Sequence, residues 1–466
     1  MAAALQTPAS LNFMHGELAA RGWKLLQPFR FGPDDESHIR ALLDFAEFPE
    51  GARVLDVGCG VGECARLMKL ERPDLDFVLL NFSEAQLYDC PAEFDRQLAD
   101  AHDLPFEDES FDAVMFHAAL GNMDAMVALA EASRVLKPGG VLFLNEIARE
   151  GGPSDDMERL LSFRAYDRES LSQFAAWMGM VEERTQSPAV ERAYLAEYMD
   201  SDDYAKAFQG ATPTLWRFVK GGHTPVAAKH GAIFGRHDRI ALQFSGGKDS
   251  LAVLAAMAPW WDRLCVYWVN PGNPFRETLA LMARINDLVP NFVEISGRQR
   301  EIIAADGWPS DVVPQAYTSD GNFVFGPTPF KVQTRLSCCY RSLMLPMHER
   351  MKADGVTCII RGKRAEEKDR SPTRTGSVID GIETVYPLWD WSESDVLDFL
   401  ENSGIPLPES YRYASHSLDC MDCSSWWGEG LSRFLEAKYP DQHKEYVRRI
   451  VLIKKAVAEQ LAECEV

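Results

Sequence analysis

Two short glycine-rich segments limit what this chain can fold into. LDVGCGVG (Leu55 to Gly62) and FSGGKDS (Phe244 to Ser250) each follow an apolar run of strand character and precede a run of helical character. A strand that ends in a glycine turn and feeds a helix is the start of a crossover unit, and crossover units build parallel sheets. The two segments lie in opposite halves of a chain of 466 residues, which is too long for one ordinary core. The expectation is α/β throughout: two Rossmann-like domains, each with its own parallel sheet.

The flanking patterns extend this reading. Strands are expected at Arg53 to Val57, Phe77 to Leu80, Asp112 to Phe116 and Val141 to Asn145, with helices at Glu63 to Leu70 and Met126 to Val135. Leu136 to Gly140 (LKPGG) reads as a turn, and the acidic stretch Ser154 to Asp203 as helical. Around Gly210 to His230 the periodicity gives way to Gly, Thr, Pro and Lys, which places a linker there. A second alternation follows: strands at Ile240 to Phe244, Leu264 to Asn270 and Thr357 to Arg361, helices at Leu251 to Met257 and Glu277 to Leu288. The domains are therefore expected at 1–208 and 237–466, joined by a linker at 209–236.

Charge narrows the partners. Residues 1–230 hold 21 Lys+Arg against 38 Asp+Glu, whereas residues 231–466 hold 27 against 32. An acidic first half repels a phosphate backbone and disfavours nucleic acid there. The second half carries a local basic cluster (Arg361, Lys363, Arg364, Lys368, Arg370, Arg374) suited to a small anion. No basic leader opens the sequence, and the longest apolar stretch is too short to span a bilayer, so a cytoplasmic protein without a membrane partner is expected. Ten cysteines in such a setting point to reduced thiols or metal ligands.

In DVGCGVG the strand ends at Asp56, and Gly58, Gly60 and Gly62 permit a tight turn with close backbone approach. Together with DAHDLPF (Asp100 to Phe106), SFDAVMF and LKPGGVLFLNE, the segment resembles class I S-adenosylmethionine-dependent methyltransferases over about Gly51 to Glu146. The resemblance implies S-adenosylmethionine as cofactor, with Asp56 and the three glycines at its methionine end and Asp100 and Ala101 at its adenine. Asn81 stands where the family often has an acidic residue for the ribose hydroxyls, so the ribose bond would lack charge assistance. His117, at the end of the DAVMF strand, is either a base beside the donor or a structural residue. The methyl acceptor is not named by any motif.

FSGGKDS lacks Walker spacing but shares its logic: backbone N–H groups, Lys248, Asp249 and the hydroxyls of Ser245 and Ser250 gather around Gly246 and Gly247 at a helix N-terminus. From about His237 to Trp427 the chain resembles the phosphoadenosine phosphosulfate (PAPS) reductase family, within the adenine-nucleotide α-hydrolase-like group. The segments that carry this are WVNPGNPFRETLALM, RLSCCYRSLMLPM, GKRAEEKDRSPTR and YPLWDWSESDVLDFL. The resemblance implies an adenine nucleotide (adenylyl sulfate, PAPS or ATP) held by Ser245 to Ser250, with Arg364 and Arg374 neutralising further anionic groups. Cys338-Cys339 followed by Cys420-x-x-Cys423 resembles the [4Fe–4S] ligand set of assimilatory adenylyl-sulfate reductases. A cubane gives neighbouring thiolates separate corners, which favours it over a single zinc ion.

Sulfonucleotide reductases attack sulfur with a cysteine in an ECGLH-like tail; here the corresponding stretch reads AECEV. Cys464 is the weak nucleophile candidate, and periodicity also places it on a helical stripe with Tyr446, Ile450, Ile453, Val457 and Leu461. The leading expectation is a two-domain enzyme of sulfur-related metabolism or modification, fed by a thiol donor such as thioredoxin. Alternatives are a nucleic-acid sulfur-modification component resembling DNA phosphorothioation proteins, and a binding or structural protein that keeps both folds without turnover.

Overall fold

The computed structural model describes residues 31–149, 158, 163–187, 210–222, 224–367 and 373–462. The chain divides into two compact units, Met1–Arg236 and His237–Val466. Each contains its own mostly parallel sheet, so the α/β class expected from the crossover pattern holds in both.

The first sheet has seven strands in the order β3-β2-β1-β4-β5-β7-β6. They are β1 (Arg53–Val57), β2 (Asp76–Asn81), β3 (Asp95–Leu98), β4 (Phe111–His117), β5 (Leu136–Arg149), β6 (Met180–Gln186) and β7 (Ala211–Lys220). Strands β1 to β5 pair in parallel, and β5·β7 and β6·β7 are antiparallel. The central strands are almost wholly buried apolar residues (Val54, Leu55, Val57; Ala113 to Phe116; Val141 to Leu144), as required when helices cover both faces. One face packs against the helix Asp35–Ala46 through Ile39, Leu42 and Phe45. That helix starts on Asp34, whose carboxylate accepts the Ser37 N–H at 2.7 Å.

Two expectations change here. LKPGG is not a free turn but the first part of β5, where the pairing register shifts between Phe111 and Ala113. Pro138 and Gly139 are tolerated because that irregularity removes the ladder bond proline could not make. Residues 209–236, read as a linker, contain β7, which pairs with β5 over nine residue pairs from Val141↔Val219 to Arg149↔Ala211. Thr, Pro and Gly obscured a strand whose middle, with Thr214, Leu215 and Trp216 buried in succession, is covered on both faces by tertiary packing. Within the stretch expected to be helical, Arg168–Trp177 is a helix and β6 a strand; the rest of it lies mainly outside the described residues.

The second sheet has six strands in the order β10-β9-β8-β13-β15-β14: β8 (Ile240–Gln243), β9 (Leu264–Asn270), β10 (Phe292–Ser296), β13 (Cys358–Arg361), β14 (Ser377–Ile379) and β15 (Ile382–Val385). Only β14 is antiparallel, on β15. A small parallel pair, β11 (Trp308–Ser310) and β12 (Val332–Thr334), stands apart. The helix Pro440–Ala462 closes the unit; Tyr446 and Ile453 are buried as the stripe predicted, while Leu461 is exposed. Cys464 lies outside the described residues. Among the described residues no helix is long and apolar enough to cross a membrane.

Candidate functional sites at two switch-point crevices

In an open parallel sheet a crevice forms at the carboxyl ends of strands where the winding reverses. In the first sheet this lies between β1 and β4. The glycine loop leaves β1 with Gly58, Gly60 and Gly62 at φ of 74°, 58° and 73°, a region that favours glycine. A Cβ on Gly58 would sit 2.7 Å from Ala119 Cβ, so the loop after β1 rests directly on the segment after β4. A Cβ on Gly60 would meet nothing within 4 Å, which leaves open space over the middle of the loop.

Asp56, next to last in β1, is buried, and among the described residues neither of its carboxylate oxygens has a hydrogen-bond partner. Burial pushes its pKa up to about 7. A buried carboxylate is tolerated when something compensates it, and a cationic ligand group at the loop would do so. Asn81 is engaged with protein: its amide nitrogen donates to Gly60 O at 3.1 Å and Gln86 Oε1 at 2.8 Å, and its oxygen accepts the Ser83 N–H at 3.0 Å. It therefore ties β2 to the glycine loop, and in this arrangement its polar atoms already have protein partners in place of the ribose hydroxyls. Asp100 accepts the His102 N–H at 2.9 Å and faces His102 Nδ1 at 2.7 Å. Burial opposes its ionisation, but these two bonds prevail and lower its pKa. Ala101 beside it is buried.

Sequence reading missed Glu146. On β5, its Oε1 accepts the N–H groups of Ala119 and Leu120, each at 2.8 Å, and so fixes the turn after β4. Its Oε2 is buried with no partner among the described residues, and burial pushes the group up to about 7.

The second crevice lies between β8 and β13. The SGGKDS loop leaves β8, and Gly362 leaves β13 so close that a Cβ there would be 2.6 Å from Asp249 C and O. Ser250 Oγ donates to Gly247 O at 2.9 Å, and the Gly247 N–H donates to Ser245 Oγ at 3.3 Å. Both cations of this crevice are buried and paired. Lys248 Nζ lies 3.3 Å from Asp249 and 3.2 Å from Glu393; Arg364 Nε donates to Asp249 Oδ1 at 2.6 Å, and its Nη1 pairs with Glu366. Arg364 is thus placed beside the loop through Asp249. Arg374 is exposed in the turn before β14, and among the described residues no side-chain hydrogen bond or ion pair joins it to the loop.

One segment links this loop to the cysteines. Tyr411 Oη accepts the Lys248 N–H at 2.9 Å, and a Cβ on Gly247 would lie 3.0 Å from Ser417 Cβ. Three residues beyond Ser417 stands Cys420. The Cys420–Cys423 turn is held by Asn273, whose carbonyl accepts the Met421 N–H at 3.1 Å and whose amide donates to Asp422 at 3.0 Å; this is the work of the WVNPGNPF motif. Cys338 and Cys339 end the helix Arg335–Cys339, which runs on into a π-helical turn, Tyr340–Met344, a widening common at functional sites. All four thiols are free, two buried and two half-buried. Burial, then Asp419 and the other three cysteines, pushes Cys420 upward; burial, then Cys338 and Asp419, pushes Cys339 up to about 12. Among the described residues no three His, Cys, Asp or Glu side chains converge as they would on one metal ion.

Comparison with known proteins agrees with both halves. The family described as "Methyltransferase domain" matches residues 55–144, and that described as "Phosphoadenosine phosphosulfate reductase domain" matches residues 239–426. Among curated relatives, the ubiquinone/menaquinone biosynthesis C-methyltransferase UbiE of Desulfotalea psychrophila is 38% identical over 112 residues, covering 23% of this chain and 46% of the relative. The demethylmenaquinone methyltransferase of Staphylococcus aureus (strain JH9) is 38% identical over 108 residues, 22% of this chain and 45% of the relative. The chain thus spans about half the length of these relatives. Among solved structures, the [4+2]-cyclase SpnF aligns with a TM-score of 0.41 at 19% identity, over 47% of this chain and 97% of that one. The chain joins a methyltransferase domain to a phosphoadenosine phosphosulfate reductase family domain in one polypeptide.

Proposed function

We propose that this chain is a two-domain enzyme of sulfur-related metabolism or modification, cytoplasmic, with an S-adenosylmethionine-dependent methyltransferase module and an iron–sulfur, sulfonucleotide-reductase-like module. The observation that carries the second half is the Tyr411–Cys423 segment, which touches the anion loop at one end and supplies two cysteines at the other. A nucleotide phosphate on the N–H groups of Gly246 to Asp249 would leave its distal group on the side of the four thiols. Adenylyl sulfate fits this order: two thiols of a donor such as thioredoxin would give up two electrons, forming a disulfide and releasing sulfite and AMP.

Cys338, Cys339, Cys420 and Cys423 would hold a [4Fe–4S] cluster. Adjacent thiolates such as Cys338 and Cys339 can take separate corners of a cubane, whereas one tetrahedral ion would draw both inward. When bound, the cluster supplies positive iron centres beside the nucleotide's sulfur group. Lys248 and Arg364 would meet the anion, Asp249 would orient both cations, and Tyr411 would hold the loop.

In the first half, Asp56 would face the cofactor's ammonium group, and Asp100 with Ala101 its adenine. When bound, the cofactor would supply an electrophilic methyl group, which an acceptor's electron pair would take up in a new bond as S-adenosylhomocysteine leaves.

Anaerobic purification with iron, sulfide and visible-spectrum analysis tests the reading. About four irons and four sulfides per chain are expected, lost in Cys339→Ser and Cys420→Ser. Zinc, or no metal, in a folded anaerobic sample would overturn the reductase-like half.

A further inference from the structure

Two thiols of the first unit have no part in either reaction. Cys59 stands between Gly58 and Gly60 in the loop after β1, and Cys90 caps the end of the short helix Glu84–Asp89 that follows β2. Each sulfur lies 3.6 Å from the same acceptor, the carbonyl oxygen of Gly60. Cys90 Sγ also reaches Gln86 O at 3.4 Å. The two thiols stand within hydrogen-bonding reach of each other, so the segments after β1 and β2 meet sulfur to sulfur. Both are free and buried.

Gly60 O holds this corner together, since it also accepts Asn81 Nδ2 at 3.1 Å. A Cβ on Gly62 would lie 3.3 Å from Cys90 Sγ and 3.2 Å from Pro91 Cδ, so the loop closes directly over the Cys90 sulfur. Cys64, in the helix Glu63–Glu71, is buried too, but among the described residues neither of these sulfurs is its hydrogen-bond partner. The paired thiols are not equivalent. The bond from Cys59 draws Cys90 below the usual thiol range, against the effect of burial. The same bond, together with burial, holds Cys59 well above it. Cys90 is therefore the more readily ionised nucleophile, and Cys59 is placed to attack what forms on it.

We infer that Cys59 and Cys90 form a reversible disulfide that closes the glycine loop against its cofactor. This rests on the methyl-transfer reading. The oxidant is a hydroperoxide, small enough to reach two buried sulfurs. Cys90, as thiolate, attacks the terminal peroxide oxygen. The O–O bond breaks with its electron pair on the leaving oxygen, which departs as water or an alcohol, and Cys90 becomes a sulfenic acid. The Cys59 sulfur then attacks the Cys90 sulfur, the S–O bond breaks, and the hydroxyl leaves as water with the Cys59 proton. The two thiols have given up two electrons and two protons, and the peroxide has taken both. A dithiol reverses the step by exchange, being oxidised to its own disulfide. Closing the bond removes both S–H groups at Gly60 O and draws the sulfurs from contact to covalent distance. The loop backbone must shift at Gly60, where a Cβ would meet open space and where the cofactor would lie.

The test uses the full chain, purified anaerobically and then treated with hydrogen peroxide. Differential alkylation with mass spectrometry is expected to find Cys59 joined to Cys90 and Cys64 still a thiol. S-adenosylhomocysteine binding by calorimetry is expected to weaken about tenfold or more on oxidation, the scale of one net hydrogen bond, and to return with dithiothreitol. Cys90→Ser keeps a donor at Gly60 O and is expected to bind S-adenosylhomocysteine within about threefold of the reduced parent, with or without peroxide. That variant retains Cys338, Cys339, Cys420 and Cys423, so it separates this pair from oxidation of the second unit. The inference is overturned if peroxide leaves Cys59 and Cys90 unjoined, if the joined form binds S-adenosylhomocysteine as tightly as the reduced one, or if peroxide weakens Cys90→Ser as much as the parent. The cross-link and its reversal are read on the parent alone, so a variant that fails to fold does not shelter the inference. Failure of the reduced parent to bind S-adenosylhomocysteine would instead sink the methyl-transfer reading beneath it.

Discussion

The two crevices of this chain share a topology and differ in how their charges are balanced. Around the switch point of the first sheet, the Asp56 carboxylate, Glu146 Oε2 and His117 Nε2 are buried and have no hydrogen-bond partner among the described residues. Between β8 and β13, Lys248 and Arg364 are each matched by carboxylates of the same unit. The first crevice keeps polar groups in suspense, so a ligand relieves a desolvation cost already present in the fold. The second has satisfied itself, so an anion must displace Glu393 or Glu366 before it meets the full charge of the cations. The same sheet order can therefore make one site that gains from filling and another that must exchange partners.

The largest expected effect tests the first half of this contrast. On the proposed reading, Asp56→Asn removes the charge that would face the cofactor's ammonium, and S-adenosylmethionine affinity by calorimetry should fall roughly a hundredfold, on the scale of breaking a buried pair. The same substitution should stabilise the ligand-free protein at neutral pH. The folded-state pKa of Asp56 is raised from 3.8 to about 7, so the folded state holds a proton that the unfolded state releases above about pH 4. That contribution is present in full below about pH 4 and is lost as pH rises to about 7; thermal unfolding across this window should show the decline in the parent and a shallower one in the variant. Equal slopes would mean that Asp56 is already compensated.

Next in size is Gly362→Ala. Its Cβ would lie 2.6 Å from Asp249 backbone atoms that cannot move without shifting the anion loop. Overpacking of this kind costs about 1–3 kcal/mol, and denaturant unfolding should find it together with weakened nucleotide binding. Gly60→Ala sharpens the comparison because its Cβ meets open space, leaving only the left-handed φ of 58°, worth about 1–2 kcal/mol. If Gly60→Ala proved the more damaging in stability, steric approach would not be what distinguishes the loops.

The smallest effect is the most discriminating. Glu393 is half-exposed, so Glu393→Gln releases Lys248 from only a screened ion pair, and adenine-nucleotide binding should tighten by no more than about fivefold. Weaker binding would show that Glu393 positions Lys248 for the ligand and does not compete with it.

Much of this could be read from the sequence because the signals were local. The apolar runs at Arg53–Val57 and Leu264–Asn270 are buried on both sides, and each glycine loop is bracketed by its strand and helix within a few residues. β7 escaped because its Thr-Pro-Thr start has weak strand propensity, and only pairing with β5 across an intervening stretch makes it a strand. Asn81 could be seen as a departure from an acidic residue, but its three protein bonds could not, since they depend on where Gly60, Ser83 and Gln86 fall in space. Tyr411 carried no motif, yet it is the contact that ties the anion loop to the cysteine segment.

By itself the sequence determined two glycine-loop sheets, the residues of each loop, and two pairs of closely spaced cysteines, because strand burial, positive φ and residue spacing are properties of residues and their near neighbours. Only the tertiary structure decided which charges are answered and which are left waiting. Asp249 meets Arg364 across 115 positions, and His117 meets Asn145 across 28. Such pairings depend on strand order and register, and in a buried site a group's charge and hydrogen-bonding capacity are set by the neighbours that packing brings to it.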